Sequence, residues 1–339
     1  MKIPGRFALW TILASATLTV MAGSMLAPVV PMVREGLGVA PASVGLIITT
    51  HSLFVALFSP LMGNLIDRIG TRKPFMFGLV LYGLAGGSGL FINSYWLLIA
   101  SRALLGIGVA AIFNSITVMI LNLYEGGERN KVMGWRGTAN SFGGLSFTLV
   151  GGALGSLSWH LPFAIYLIGI PLGFLAFITI PQTHRERSQD TSEEGSVLKV
   201  YRNNPILFAI YGLMFLAMIL LYAVAVFLPQ LLGEIGISNP FYISLLLAVG
   251  SLTVALTSLM YGKIKTRLSY KMIVLITLAL WTVGFTTISQ TSSALIIAVS
   301  LALFGVGRGI VQPALPVWVG EIVPVSHRGR IISYLTTLG

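Results

Sequence analysis

Long apolar runs recur along the chain, each near 20 residues and separated by short polar segments. A helix needs about 20 apolar residues to cross the roughly 30 Å hydrocarbon core of a bilayer, whereas a membrane strand needs about ten and alternates in polarity. These runs do not alternate, so they predict membrane-spanning helices. The pattern places ten spans, at 7–30, 42–62, 74–93, 96–121, 132–156, 160–181, 205–228, 241–261, 272–289 and 293–319.

Composition supports an all-α polytopic membrane protein. Hydrophobic residues make up 55% of the chain, charged residues 9%, and the mean hydropathy is +0.90. A water-soluble domain cannot bury that much apolar surface. The absence of cysteine excludes disulfides and thiolate metal sites, and the chain has no zinc-protease, nucleophile-elbow or phosphate-loop motif. We therefore predict no enzyme activity, no cofactor and no metal.

The basic residues predict the orientation. The formal net charge is +11, and seventeen of the 21 Lys and Arg residues fall on the amino-terminal side of the ten spans. Arg34 lies on the other side, and three arginines lie within spans. Because positive residues are retained in the cytoplasm, we expect a multi-pass protein of the cell membrane with a cytoplasmic amino terminus. The basic excess is then a topology signal and does not indicate nucleic-acid binding.

The chain contains an internal duplication. Glycine and arginine pairs recur at a constant separation of 199 positions: Gly63 and Gly262, Gly106 and Gly305, Arg129 and Arg328. A polar stretch at 182–204 divides the repeats and predicts a flexible cytoplasmic linker. We therefore predict an amino-terminal six-helix half at 1–181 and a carboxy-terminal half at 205–339.

The same separation predicts that the second half is incomplete. The sixth span of the first half ends near Ile180, so its counterpart would end near position 379, whereas the sequence ends at Gly339. Residues from Ile331 onward correspond to the beginning of the fifth span. We therefore expect ten spans and the start of an eleventh, out of twelve.

The segment GNLIDRIGTRK at 63–73 resembles the signature G-x-x-x-D-R-x-G-R-K of the major facilitator superfamily. The sequence departs from the signature at Thr71. The resemblance implies two pseudo-symmetric six-helix halves and a secondary transporter with alternating access. It also implies that Asp67 faces the start of the eleventh helix and gates the cytoplasmic side. The motif residues are Gly63, Asp67, Arg68, Gly70, Arg72 and Lys73, of which Arg72 and Lys73 fit lipid contact as well as gating.

The fifth span resembles the glycine motif of the drug:proton antiporter branch. The residues are Gly134, Gly143, Gly151 and Gly152, although Phe147 and Thr148 stand where that motif has Gly-Pro. The resemblance favours efflux. The alternative is close helix packing by small residues, which is common in membranes.

Ionisable and polar residues inside spans are the candidates for coupling or substrate binding. Arg102 lies at the position that the family associates with proton coupling, and its alternative is snorkelling to the outer interface. Arg308 lies near mid-membrane, one turn before Gln312, and suggests substrate binding or coupling. His51 can titrate near neutral pH and Asn114 can line a cavity, but both also fit packing roles.

Together these features predict a secondary active exporter of drugs or small amphipathic compounds, with protons as the candidate coupling ion. None of the ten carboxylates lies at mid-membrane. We expect a monomer in the lipid bilayer that binds a small-molecule substrate. The alternatives are a transporter of a defined metabolite, such as a sugar or organic anion, and a non-transporting truncated membrane protein or receptor.

Overall fold

A computed structural model of the chain describes residues 6–26, 29–40, 43, 45–180, 197–235 and 240–337. Regular structure in these ranges is helical, and no strand occurs in them. The helices are α1 Arg6–Ser24, α2 Val30–Leu37, α3 Leu46–Ile69, α4 Arg72–Gly87, α5 Tyr95–Leu123, α6 Gly126–Gly155, α7 Pro162–Tyr166, α8 Gly169–Thr179, α9 Val197–Asn203, α10 Ile206–Glu234, α11 Pro240–Arg267, α12 Tyr270–Gln290, α13 Ala294–Ile322 and α14 Arg328–Thr337.

Eight helical stretches within the described ranges are long and apolar enough to cross a membrane. The sequence predicted ten spans, and the other two correspond to α4 and α6. Helix α4 has only 16 residues before a short 3₁₀ turn continues it. Helix α6 has 30 residues, but Glu128, Arg129, Lys131 and Arg136 occupy its first part. The all-helical membrane fold predicted from the sequence is confirmed.

Several helix boundaries differ from the predicted spans. The first span was predicted at 7–30, whereas α1 ends at Ser24 and a separate helix, α2, begins at Val30 with Pro31 in its first turn. Proline favours the first turn of a helix, where its missing N–H group costs nothing. The predicted span 160–181 is divided between α7 and α8.

The largest difference concerns the motif at 63–73. Helix α3 continues to Ile69, so the first part of the motif is helical rather than a loop. Gly70 ends the helix with φ of 84°, and α4 begins at Arg72. Glycine is suited to that positive φ because it has no Cβ. Apolar span length underestimated α3, since polar residues at the membrane edge continue the helix into water.

Most of the predicted linker, residues 182–196, lies outside the described residues. The remainder, predicted as flexible, is helical over Val197–Asn203 and forms α9. The division of the chain into halves at 1–181 and 205–339 stays a prediction.

The described residues form two compact units. Unit 1 contains those within 1–123, 142–203 and 323–337. In it, α5 packs against α3 and α4, and α14 packs against α3 and α5. Helix α8 packs against α4 and α1. The core of this unit therefore surrounds α5, most of whose residues are buried.

Unit 2 contains the described residues within 124–141 and 204–322. Helix α13 is central, and α10, α11 and α12 pack against it. Ser258 on α11 donates a hydrogen bond to the Gly309 carbonyl at 2.9 Å, and Trp281 on α12 donates to the Phe304 carbonyl at 3.2 Å. These bonds fix both neighbours on α13.

The same helix crossing occurs in each unit at corresponding positions. In unit 1 a Cβ added to Gly106 would overlap the His51 carbonyl. In unit 2 a Cβ added to Gly305 would lie 2.6 Å from the Gly250 carbonyl. Both pairs differ by 199 positions, so the duplication read from the sequence extends to backbone contacts. Such close approach is possible because Gly106 and Gly305 have no side chain.

Candidate functional site

Helices α3 and α14 meet at two glycines in unit 1. A Cβ on Gly63 would overlap the Gly329 carbonyl and the side chain of Ser333. A Cβ on Gly329 would overlap the Asp67 carboxylate and the Gly63 carbonyl. The two backbones therefore touch directly. We call this contact, formed by Gly63 and Asp67 with Gly329, Arg330 and Ser333, the unit 1 junction.

Asp67 binds the amino terminus of α14. Its Oδ1 atom accepts a hydrogen bond from the Gly329 N–H at 2.7 Å, and Oδ2 accepts one from the Arg330 N–H at 3.0 Å. The first N–H groups of a helix have no intrahelical partner and carry partial positive charge. A carboxylate that bridges two of them satisfies both at once. The Arg330 Nε atom, 3.6 Å from Oδ2, adds an ion pair.

The resemblance implied that Asp67 faces the start of the eleventh helix, and the structure places it there. The carboxylate is nearly enclosed, with 8% of the residue exposed. Burial strengthens a charge-assisted bond but makes its loss costly, because the carboxylate then has to be solvated elsewhere. A contact of this type can distinguish two conformations. The gating role of Asp67 stays a prediction.

Three further hydrogen bonds join α14 to α5. Arg328 donates to the Asn122 Oδ1 atom at 2.8 Å and to the Leu121 carbonyl at 3.3 Å. Two turns further along, the Thr336 hydroxyl donates to the Asn114 Oδ1 atom at 2.8 Å. Asn114 was a candidate for lining a cavity or for packing, and it is fully buried between α5 and α14. It therefore holds α14 in place.

The remaining motif residues have separate roles. Arg68 and Lys73 are exposed, whereas the Arg72 guanidinium donates to the Phe177 carbonyl and lies 4.7 Å from the centre of the Phe177 ring. The Gly70 N–H donates to the Ile66 carbonyl at 2.9 Å and closes α3. The structure thus brings Gly63 and Asp67 to α14, while Arg72 fastens α4 to α8.

Arg102 is enclosed in unit 1 by aromatic side chains. It is 0% exposed, and its guanidinium carbon lies 5.0 Å and 5.1 Å from the ring centres of Phe163 and Tyr166. Its Nη2 atom donates to the Gly86 carbonyl at 3.1 Å, and its Nη1 atom has no hydrogen-bond partner among the described residues. The snorkelling alternative does not fit this placement, because the head group is buried.

The aromatic cage around Arg102 was missed in the sequence. Its rings, Phe163 and Tyr166, belong to α7, which is distant in the chain from Arg102 on α5. Tyr82 of α4 packs against Tyr166, with 5.4 Å between ring centres. Tyr82 donates to the Leu18 carbonyl at 2.8 Å and Tyr166 to the Ala22 carbonyl at 3.2 Å, so the rings also join α1 to the cage. Aromatic faces attract a cation most strongly where water is excluded. No spacing in the sequence indicated that these rings meet.

His51 lies at the junction of α1, α3 and α5. It is 8% exposed, and its ring faces Gly23 on α1. The Nε2 atom is 3.4 Å from the Ser52 hydroxyl, and the carbonyl of His51 underlies Gly106. Arg102, Asn114 and His51 therefore all belong to unit 1, at three different helix contacts.

Arg308 and Gln312 lie on α13 in unit 2, where both are partly exposed. Arg308 interacts electrostatically with Tyr222 on α10. The flanking glycines serve helix packing: Gly307 lies against Trp281, and a Cβ on Gly309 would meet the Val254 carbonyl at 2.8 Å. These contacts hold α13 against α12 and α11 on either side of Arg308.

Arg136, the third arginine within a predicted span, is buried. Its place near the cytoplasmic end of the predicted fifth span favours snorkelling to the interface, but the residue is only 5% exposed. Its Nη1 atom lies 3.8 Å from the Met133 sulfur. Helix α6 begins one and a half turns earlier than the predicted span, which places Arg136 deeper along the helix than expected.

Three of the four motif glycines of α6 lie at helix contacts. A Cβ on Gly134 would overlap the Ser258 carbonyl in unit 2. In unit 1 a Cβ on Gly151 would overlap the Met25 carbonyl, and one on Gly143 would lie 2.8 Å from Thr17. Gly152 is partly buried, and its carbonyl accepts a hydrogen bond from Ser156. These contacts support the packing alternative for the motif.

Membrane-length helices, an internal repeat carried into helix contacts, and a carboxylate at a helix amino terminus define a polytopic α-helical membrane protein. The chain belongs to the Major Facilitator Superfamily, whose family model matches residues 12–339. Members of this superfamily are transporters that handle small molecules in a lipid bilayer. The chain is therefore a multi-pass membrane protein of this type.

Two curated bacterial proteins and one solved structure illustrate the similarity. The chain is 28% identical to the bacillibactin exporter of Bacillus subtilis, over 96% of this chain and 85% of that protein. It is 26% identical to the multi-drug resistance efflux pump PmrA homolog of Lactococcus lactis, over 92% and 79%. The human organic anion transporter MFSD10 has the same fold, with a TM-score of 0.78 at 19% identity, over 98% of this chain and 90% of that one.

Proposed function

We propose that this protein is a secondary active exporter of drugs or small amphipathic compounds that works by alternating access. The amino terminus is cytoplasmic in this proposal, and protons are the coupling ion. Two relatives that match most of the chain carry the names of a siderophore exporter and a multidrug efflux pump. These names support export, and the basic residues support the orientation.

The observation that carries the proposal is the capping of α14 by Asp67. Helix α14 belongs to the second sequence repeat and α3 to the first, so a change between two access states can break this contact. The cap consists of two backbone hydrogen bonds and one ion pair. Such a contact contributes about 0.3 to 2 kcal/mol. That range biases a two-state equilibrium by up to about thirtyfold without deciding whether the protein folds.

Flux in proteoliposomes tests the proposal. The purified protein is reconstituted, a pH difference is imposed, and accumulation of a fluorescent amphipathic cation is followed. We expect pH-driven flux that collapses when a protonophore removes the gradient. Asp67→Asn should slow the flux severalfold, whereas Thr266→Asn at the corresponding repeat position should leave it unchanged. Flux that is independent of the pH gradient would contradict proton coupling. The absence of flux for every amphipathic probe would contradict export.

The proton carrier is then a group other than a mid-membrane carboxylate. His51, at the contact of α1, α3 and α5, is the candidate carrier within unit 1. Arg102, in the aromatic cage, is a candidate for coupling as a fixed cation, because a guanidinium keeps its proton. We expect His51→Gln to abolish the pH dependence of flux if His51 carries the proton. Arg102→Lys, which keeps the charge but not the planar fork, should separate a positional role from a charge role.

A defined organic anion is the second candidate substrate, and Arg308 favours it. Arg308 is partly exposed on α13 and interacts with the phenol of Tyr222. A guanidinium that contacts a phenol rather than a carboxylate can bind an anionic group directly. Arg308→Ala should then remove transport of anions and spare cationic probes. Equal loss for both classes would instead assign Arg308 to the transport cycle itself.

A further inference from the structure

Four basic residues surround the connection between α11 and α12 in unit 2. Lys263, Lys265 and Arg267 lie in the last two turns of α11, and Lys271 lies in the first turn of α12. Lys263, Arg267 and Lys271 are exposed, and Lys265 is partly buried. The sequence contains no Asp or Glu between positions 235 and 320. The patch therefore has no acidic residue from its own two helices.

Helix dipoles account for only part of this patch. Lys265 and Arg267 complement the negative carboxy-terminal end of α11. Lys271 has the opposite relation, because it adds a positive charge to the positive amino-terminal end of α12. Ser269 caps that end, and its hydroxyl accepts the Met272 N–H at 3.4 Å. The first turn of α12 thus combines a helix dipole and a cation of the same sign, which an external anion would stabilise.

Aromatic side chains support the patch from one side. The Lys265 ammonium lies 3.9 Å from the centre of the Tyr270 ring. Tyr270 in turn stacks on Trp318 of α13, with 4.7 Å between ring centres and 2° between planes. The Tyr270 hydroxyl faces the Glu321 carboxylate. Tyrosine and tryptophan are enriched where a membrane protein crosses from hydrocarbon to head groups.

The cations continue apolar stripes along both helices. On α11, Leu256, Met260, Lys263 and Arg267 follow each other at spacings of three and four residues, so they share one face. Leu256 and Met260 are 56% and 55% exposed. On α12, Lys271 precedes Leu275, which is 62% exposed. Each stripe is thus apolar along the helix and basic at its end, as a phospholipid is apolar along its chains and anionic at its head.

We propose that this surface is a docking site for an anionic phospholipid. The phosphate binds Lys263, Arg267 and Lys271 at the amino terminus of α12, and the acyl chains lie along Leu256, Met260 and Leu275. The site is separate from the unit 1 junction and does not depend on the transported substrate. The corresponding segment of unit 1, the motif at 63–73, is less suited to bind a phosphate. It has the carboxylate of Asp67 where this patch has Thr266, and its Arg72 is bound to the Phe177 carbonyl.

Native mass spectrometry of the purified protein tests the site. The protein is titrated with phosphatidylglycerol and phosphatidylcholine of matched chains. We expect at least one phosphatidylglycerol to be retained in preference to phosphatidylcholine. The variant Lys263→Gln/Arg267→Gln should weaken that binding by up to about thirtyfold, at roughly fivefold per cation. Both residues are exposed, so the helical circular dichroism should not change.

A matched control and a competitor decide between interpretations. Arg68→Gln/Lys73→Gln removes two exposed cations from the corresponding segment of unit 1, and we expect a loss below about threefold. Equal losses for both variants would mean diffuse attraction and would overturn a specific site. Inorganic phosphate in millimolar excess should not displace the lipid. Displacement by phosphate alone would assign the patch to a free anion and would also overturn the proposal.

Discussion

The amino termini of α14 and α6 occupy corresponding places in the two repeats, but they are stabilised differently. In unit 1, Asp67 on α3 accepts hydrogen bonds from the first N–H groups of α14. In unit 2 the corresponding residue on α11 is Thr266, which is exposed and donates to the Lys263 carbonyl of its own helix at 2.7 Å. The amino terminus of α14 is thus capped by a side chain of α3, whereas the amino terminus of α6 receives no such bond from Thr266.

The lengths of the two helices explain the difference. Helix α14 begins at Arg328, whose counterpart in the repeat is Arg129, whereas α6 begins earlier, at Gly126. The Arg129 N–H already donates to the Glu125 carbonyl at 3.2 Å. Asn130 and Lys131, the counterparts of Gly329 and Arg330, therefore lie inside the helix, where their N–H groups have backbone partners. In unit 2, the additional helical residues at the start of α6 bond the N–H groups corresponding to those that the Asp67 carboxylate bonds in unit 1.

The start of α6 is also held by side chains of unit 2. Arg129 donates to the Tyr124 carbonyl at 2.8 Å. Burial, followed by the nearby Glu128 carboxylate, raises the pKa of Tyr124 to about 12, so this phenol stays neutral at any physiological pH. We call the contact of Gly262 on α11 with Lys131 on α6 the unit 2 junction. We expect it to be a permanent contact and the unit 1 junction to be reversible.

The largest effect is expected from Gly63→Ala. The new Cβ would overlap backbone and side-chain atoms of α14, and overpacking of this kind costs about 1 to 3 kcal/mol. Spin labels at Ile69 and Val325, both in unit 1, should move apart. The chain has no native cysteine, so labelling is specific. The control is Gly262→Ala, whose Cβ would meet the Lys131 Cα atom at 3.0 Å, and equal shifts in both junctions would contradict the comparison.

Asp67→Asn should have the next largest effect. The amide keeps the size of the carboxylate but loses its charge, which weakens the cap by about 0.3 to 2 kcal/mol. The open population measured by the same labels should rise severalfold, up to about thirtyfold. Thr266→Asn should change nothing in a label pair at Gly127 and Arg267. Identical distance distributions for Asp67→Asn and the parent would refute the reversible cap.

Arg330→Gln should have a smaller effect that depends on salt. The Arg330 side chain is 36% exposed, and exposed ion pairs contribute at most about 1 kcal/mol. The difference in label distance between Arg330→Gln and the parent protein should disappear at about 1 M salt, where charges are screened within about 3 Å. The shift caused by Asp67→Asn should persist there, because the backbone bonds are buried. Salt-sensitive behaviour of both variants would mean that the ion pair dominates the cap.

The smallest effect is expected from Thr266→Asp, which restores the missing carboxylate in unit 2. Because the facing N–H groups of α6 are already bonded, we expect the stability of the unit 2 junction to change by less than about 0.5 kcal/mol. Thermal unfolding in detergent and the label pair at Gly127 and Arg267 measure this. Clear stabilisation by Thr266→Asp would show that the two junctions are interchangeable, and the proposed distinction would fail.

The sequence by itself determined the membrane class, the repeat and the motif. These features depend on local quantities: apolar length, charge distribution and the spacing of glycines that helix crossings require. They also survive in the structure at residue level, since Gly106 and Gly305 make the same contact in the two units. The resemblance of 63–73 to the family signature also implied that Asp67 faces the start of the eleventh helix. Asp67 does accept hydrogen bonds from the first residues of α14.

The tertiary structure alone decided which distant side chains meet. Arg102 on α5 lies against two rings of α7, Phe163 and Tyr166, and Asn114 accepts a hydrogen bond from Thr336, a residue 222 positions away. Helix periodicity identifies the face on which a residue lies but not the helix that will cover it. The early start of α6 also needed the structure. Hydropathy marks where the bilayer ends, whereas helical hydrogen bonds continue beyond it until a residue such as Gly70, at the end of α3, breaks them.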